Sequence, residues 1–469
     1  MRKYTFKTFL MFSAIQFSFC WFAVIQLSEN QVEKNADADD TYVIIISIDG
    51  FPASALWDER FPLPAIRSLA ENGVWSTHFV PSTPTVTWPN HTTLATGVFS
   101  DKHGVLTNGR FVRTHRGVGR QSNLDRSDLT SHPAIFDVAY EAGLITAEVN
   151  WPVTRNAETL HFSMPDAPGA IRSTTPQLLG ELLEAGILKD DTDATFRSGT
   201  ILNRDEIWTA AAEHLIINHQ PNLLLFHLLN VDSTHHQFGE GTHPGFTALT
   251  LADAHVQRIL NALDKAGIRE KTSIFLVSDH GFMNVKQEVH PNILLRQHGL
   301  IESDDSGNLT GTRVYAVSNG GTAMVFALNP DTKEQDLEEA YNVLSEAEGI
   351  SRVLRPDEYH QYGLPQPDEN SSMGDLLLNA SQHVSFGNAV MGENHIKDHD
   401  RVRGTHGYLS DVPEMKTIFI ASGYGIRSGM ELERIDNRSV APTAARILGL
   451  VMEDADGEIL EEIFENGER

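Results

Sequence analysis

Residues 41–51 read TYVIIISIDGF. Val43 to Ile48 form a near-continuous apolar run, rich in β-branched side chains. Such a run marks a strand buried on both faces, as in a parallel sheet covered by helices on either side. The run ends at Asp49-Gly50. The surrounding chain repeats the theme. LPAIRSLAENGVW (63–75) has helical spacing, with Gly73 where the helix is expected to stop. AIFDVAYEAGLITAEV (134–149) reads as helix, Gly stop and strand. Residues 208–230 read as a helix and then the strand NLLLFHLLN. Residues 250–279 read as the helix TLADAHVQRILNALDKAG and then the strand TSIFLVSD. This alternation predicts an α/β fold with a mostly parallel central sheet. Residues 283–400 break it. They carry the strand-like RVYAVSN and TAMVFAL, a helix near 334–348 and many Gly, Pro and Asn. A smaller inserted α+β region is expected there. The main sheet resumes with KTIFIAS (416–422) and closes with the helix VAPTAARILGL. The expected division is therefore a leader and linker at 1–40, a core in two parts at 41–282 and 401–469, and the insertion between them.

Ligands of open α/β sheets bind outside the carboxyl ends of the strands. Asp49 follows the first strand, Asp232 follows LLLFHLLN, and Asp279-His280 follows IFLVS. Late in the chain GTHGY carries His406. Each alone has an ordinary explanation: Asp-Gly is a turn, and a single His is a solvated or satisfied side chain. Asp232 and His236 bring two ligand types together over about one helical turn. Several carboxylates at one sheet edge repel one another unless a cation compensates. A mixed Asp/His set without Cys suits a divalent metal, with zinc the leading candidate, and the set is large enough for two ions.

The segment TPTVTWPNH (83–91) then acquires a role. Its prolines argue against a long helix or a central strand around Thr87. A stiff turn would hold the Thr87 hydroxyl, a poor nucleophile unless activated, against the metals. TTLATG after it reads as a helix start, whose backbone N–H groups favour an anion.

Composition narrows the partners. The 469 residues include 63 acidic and 36 basic side chains, a net charge of −27. That field repels nucleic acid polymers but not a small anion drawn to a local cation. The N-terminus reads MRKYTFK, then an apolar stretch (8–27), then the polar SENQVEKNADADD. That is the pattern of an export signal, cleaved or retained as a membrane anchor. The lone Cys20 lies inside it, so the exported part has no disulfide and no thiol ligand. A large disulfide-free exported protein fits a periplasm or cell surface.

Seven segments taken together resemble the nucleotide pyrophosphatase/phosphodiesterase family of the alkaline phosphatase superfamily. They are SIDGF (47–51), PTVTWPNHTTLATG (84–97), HGVLTNG (103–109), NWP (150–152), DSTHHQFG (232–239), SDHGF (278–282) and GTHGY (404–408). The resemblance implies an alkaline phosphatase-like three-layer sandwich and two Zn²⁺ ions. One ion would be held by Asp232, His236 and His406, the other by Asp49, Asp279 and His280 with the Thr87 oxygen. Thr87 would attack phosphorus and form a phospho-threonine that water hydrolyses. Asn108 would donate to a non-bridging phosphate oxygen. The substrate implied is a small phosphate ester, a nucleotide or another diester. Trp88 either stacks on a nucleotide base or packs in the pocket wall. After NWP, Val153-Thr154-Arg155 replaces the small polar run of characterised members. The sulfatase-type Cys-x-Pro-x-Arg segment is absent. A phosphate monoesterase or phosphonate hydrolase with the same metals is the alternative within enzymes. A catalytically silent metal-stabilised binding protein is the alternative outside them; the full ligand set argues against it.

Overall fold

In the computed structural model, residues 40–166, 169–304 and 308–465 are described. The central sheet takes its strands from the whole chain: β1 (Tyr42–Ile48), β2 (Gly73–Val80), β3 (Thr146–Pro152), β4 (Phe162–Asp166), β5 (Leu223–Leu228), β6 (Thr272–Val277) and β7 (Thr417–Gly423). Their order is β2-β7-β6-β1-β5-β3-β4, with two short strands, Met430–Glu431 and Ile435–Asp436, pairing β2. From β6 to β4 every pair is parallel, and β7 runs antiparallel to both its neighbours. The sheet is thus mostly parallel, with one reversed strand where the chain returns from the 283–405 segment.

β1 shows why the stack has three layers. Ile44, Ile46 and Ile48 join one core, with the helices at 64–71, 201–218 and 243–266. Val43 and Ile45 join the other, with the helices at 87–96, 135–141 and 440–447. Successive strand side chains point to opposite faces, so an apolar run without alternation needs a cover on each. β1 lies between β5 and β6, with Ile48 opposite Leu228 and Ser47 opposite Val277. That register brings Asp49, Asp232 and Asp279, each just past the carboxyl end of its strand, to one edge.

Two elements differ from expectation. Gly73 does not stop the helix Pro64–Glu71, which is capped by Asn72; it opens β2. A Cβ at Gly73 would lie 2.2 Å from the Ala421 carbonyl oxygen, so the close approach of β7 requires glycine. The second difference is at Thr87. A helix, α1, already begins there and runs Thr87–Thr96, rather than starting at TTLATG. Pro89 falls in its first turn, where a missing N–H removes no helical hydrogen bond.

The segment after β6 builds a four-stranded antiparallel sheet (314–318, 322–327, 376–380, 350–354) and a three-stranded sheet (384–386, 283–289, 396–405). RVYAVSN, TAMVFAL and the helix near 334–348 appear as Val314–Ser318, Thr322–Ala327 and Lys333–Ser345. In the three-stranded sheet Met283 pairs with Thr405 and Asn284 with Gly404. The loop ending at His280 and the loop bearing His406 are thereby tied together. The described residues form one compact unit. The N-terminal apolar stretch, read as export signal or anchor, lies outside the described residues. Among the described residues no helix is long and apolar enough to cross a membrane.

Candidate active site

The predicted ligands converge in two adjoining sets. Asp49 and Asp279 enter directly after β1 and β6. His280 Nε2 lies 3.3 Å from Asp49 Oδ1 and 3.2 Å from Asp279 Oδ2. All three side chains are fully buried. Asp232 and His236 occupy one face of the helix α2 (Asn230–Phe238), one turn apart. His236 Nε2 is 3.3 Å and His406 Nε2 3.5 Å from Asp232 Oδ1, and the two ring nitrogens are 3.1 Å apart. The His280 and His406 rings stack at 3.6 Å and join the two sets.

The far nitrogens fix the imidazole tautomers. Nδ1 of His236 donates to the Gly404 carbonyl, that of His280 to Gly281 and that of His406 to Thr85. Each Nε2 therefore turns a lone pair inward. The oxygens it faces, Asp49 Oδ1, Asp232 Oδ1 and Asp279 Oδ2, are buried and without a hydrogen-bond partner. With neutral rings, acceptor faces acceptor at His280 and His406, an arrangement that a bound cation reconciles. The residues thus fit divalent metal ions, and Asp49/Asp279/His280 and Asp232/His280/His406 each bring three ligand atoms close enough to hold one.

The electrostatics differ between the sets: against the effect of burial, the Asp232 charge holds His236 above the usual imidazole range, whereas Asp49, Asp279, His280 and His406 shift toward their neutral forms. Burial and the nearby Asp232 charge push Asp49 well above the usual carboxylate range; burial and Asp49 do the same to Asp279. Burial and the neighbouring imidazole push His280 well down, and His406 down to about 4, which keeps both rings neutral. Cations bound here would relieve the carboxylates and take the lone pairs.

Thr87 is the first residue of α1, with Oγ1 3.5 Å from His280 Nε2. Asn90 braces the loop before it. Its Oδ1 accepts from the Ser82 N–H, and its amide donates to the carbonyls of Pro84 and Val86. Asn108 Oδ1 accepts the Trp88 N–H at 2.9 Å, so Asn108 lies against the start of α1. The Trp88 indole is buried among Val105 and Val153 and donates to Asp166 Oδ2. Of the two roles open for Trp88, these contacts favour the pocket wall.

Three supporting residues escaped the sequence analysis. His227, inside β5, has Nε2 3.1 Å from Asp49 Oδ2. His91 donates from Nδ1 to the Thr87 carbonyl and lies 3.6 Å from Asp279 Oδ2. Asp205 accepts the N–H groups of Leu229 and Asn230 and fixes the start of α2. The available signal was a lone histidine in the otherwise apolar LLLFHLLN.

This sheet, with its Asp and His side chains at the strand ends, defines an alkaline phosphatase-like fold. The sequence profile of the type I phosphodiesterase / nucleotide pyrophosphatase family matches residues 43–409, and the chain belongs to that family. It is 23% identical over 433 residues to ectonucleotide pyrophosphatase/phosphodiesterase family member 7 of Mus musculus, covering 88% of this chain and 85% of that one. It is 23% identical over 439 residues to a bis(5'-adenosyl)-triphosphatase of Xenopus laevis, covering 91% and 81%. Among solved structures it is similar to murine ectonucleotide pyrophosphatase/phosphodiesterase 5 in an inactive form in complex with AMP. There the TM-score is 0.67 at 17% identity, covering 90% of this chain and all of the other. The protein is thus an enzyme, a hydrolase of the phosphodiesterase/pyrophosphatase type.

Proposed function

We propose that the protein hydrolyses phosphodiester or pyrophosphate bonds of a small substrate, a nucleotide or another diester, with Thr87 as nucleophile and two zinc ions as cofactors. The observation that carries this is the pair of facing acceptor sets with the Thr87 hydroxyl at their rim. When bound, the ions would supply charge that activates the hydroxyl and stabilises the attacking and leaving oxygens. The chain does the rest. The start of α1 and the Asn90 brace hold Thr87 in place. Its oxygen forms a bond to phosphorus as the bond to the leaving oxygen breaks. The threonine then carries a phosphoryl group that keeps the second ester, and water releases it. With Oδ1 engaged by Trp88, Asn108 has its amide N–H groups to donate to a non-bridging oxygen. The Xenopus relative's name and the AMP held by the murine one support a nucleotide-like substrate; the latter's inactive form carries a threonine-to-alanine change. The basic and apolar N-terminal stretch supports export of the enzyme.

Asn108 offers a neutral donor, which does not reward the second charge of a monoester. Arg110 opens the strand Arg110–Thr114 and lines a surface cleft with Glu369 and Asn370. The test compares kcat/KM for a nitrophenyl diester and the matching monoester, in wild type and Arg110→Ala. A diester preference in both is expected. A monoester preference that vanishes in Arg110→Ala would contradict the assignment.

A further inference from the structure

A second cluster of ligand atoms lies away from the catalytic residues. Glu181 belongs to the helix Pro176–Glu184; His214 lies near the end of the helix Ile201–Asn218, and His219 caps that helix. Both rings aim the same atom at the same oxygen: His214 Nε2 is 2.8 Å and His219 Nε2 2.6 Å from Glu181 Oε2. The other carboxylate oxygen accepts from Gln177. His219 is steadied by Phe162, with ring centroids 4.2 Å apart, and the Asn218 amide lies 3.2 Å from His214 Nδ1. All three side chains are partly open to solvent. His219 leads into the amino end of β5, whereas the catalytic ligands follow its carboxyl end. The strand between spans roughly 20 Å.

We propose that Glu181, His214 and His219 hold a divalent transition-metal ion, with a further position open to water. Two imidazoles and a carboxylate are the donor set of a three-ligand zinc-type site, whereas calcium and magnesium take oxygen ligands. Metal–ligand bonds of about 2.0–2.2 Å at tetrahedral angles place the ligand atoms about 3.3 Å apart. The side chains open by about half an ångström to reach that spacing, which partly exposed groups do without disturbing the core. The net charge of −27 favours cation binding. The competing account is a hydrogen-bonded cluster in which each ring donates Nε2–H to Oε2. The two accounts differ in the place of those protons, since a metal bound at Nε2 leaves each neutral ring with its proton on Nδ1. An ion here would join two helices separated in sequence by residues 185–200, and so favour the folded state.

The test measures zinc per chain by elemental analysis in wild type and His214→Gln, both stripped with chelator and then dialysed against Zn²⁺. Glutamine still donates to Glu181, so the helices stay joined, and unchanged turnover of a nitrophenyl diester reports an intact fold. Wild type is expected to retain one more equivalent than His214→Gln, whatever the catalytic centre holds. Zinc-soaked wild-type crystals should show an anomalous peak within bonding distance of all three side chains, a readout that stands even where the variant misfolds. Equal zinc in the two proteins, or no such peak, would overturn the proposal.

Discussion

His227 lies beneath the site rather than at its rim. Its Nε2 faces Asp49 Oδ2, and its Nδ1 lies 2.8 Å from the Asn150 carbonyl and 3.2 Å from the Asn150 amide. Asp49 is thereby turned so that Oδ1 points at His280. Groups that orient metal ligands in this way typically contribute 10–100-fold in metal affinity. We expect His227→Ala to weaken zinc binding by about that factor, measured by chelator competition, and His227→Gln to recover part of it. Unchanged affinity in the alanine variant would make His227 a core filler. The residue was not legible because burial, not spacing, defines its role. The placement of Asp49 and Asp279 was legible: aliphatic strands that stop at these residues declare where the sheet edge lies. The role of Trp88 was open in the sequence, because stacking and wall packing use the same residue type.

At the level of elements, the loops matter more than the helices. Gly50 has φ of +68°, and a Cβ there would meet the Phe282 ring at 2.6 Å. The Asp49 loop and the SDHGF loop therefore interlock through a glycine that no other residue replaces without strain. Gly50→Ala is expected to lower stability by about 1–3 kcal/mol, read from the denaturant midpoint with zinc present. A change under about 0.5 kcal/mol would show that the loop relaxes freely. The strands at the centre of the sheet were legible because both their faces are apolar. β2 was not, since GVWSTHFV mixes polar and apolar residues near the sheet margin and follows a helix without a break. The start of α1 was misplaced because prolines in sequence suggest a break, whereas one in the first turn is tolerated.

For the whole molecule, the 283–405 segment ties the site together, because its outgoing and returning strands pair and carry the His280 and His406 loops together. Two distant stretches, TPTVT and GTHGY, are joined by the Thr85–His406 and Thr85–Gly407 bonds. Neither pairing has a local sequence signal; both follow from long-range topology. The account rests on Thr87 acting as nucleophile beside a metal centre that the rest of the chain assembles. The most direct measurement is the turnover of a nitrophenyl diester by zinc-loaded Thr87→Ala, with metal content determined on the same sample. A fall of about a thousandfold or more is expected with both carboxylate–imidazole sets still loaded, because a nucleophile is lost while no core is opened. Wild-type turnover in that variant would contradict the account and leave Thr87 as the first residue of a helix and nothing more.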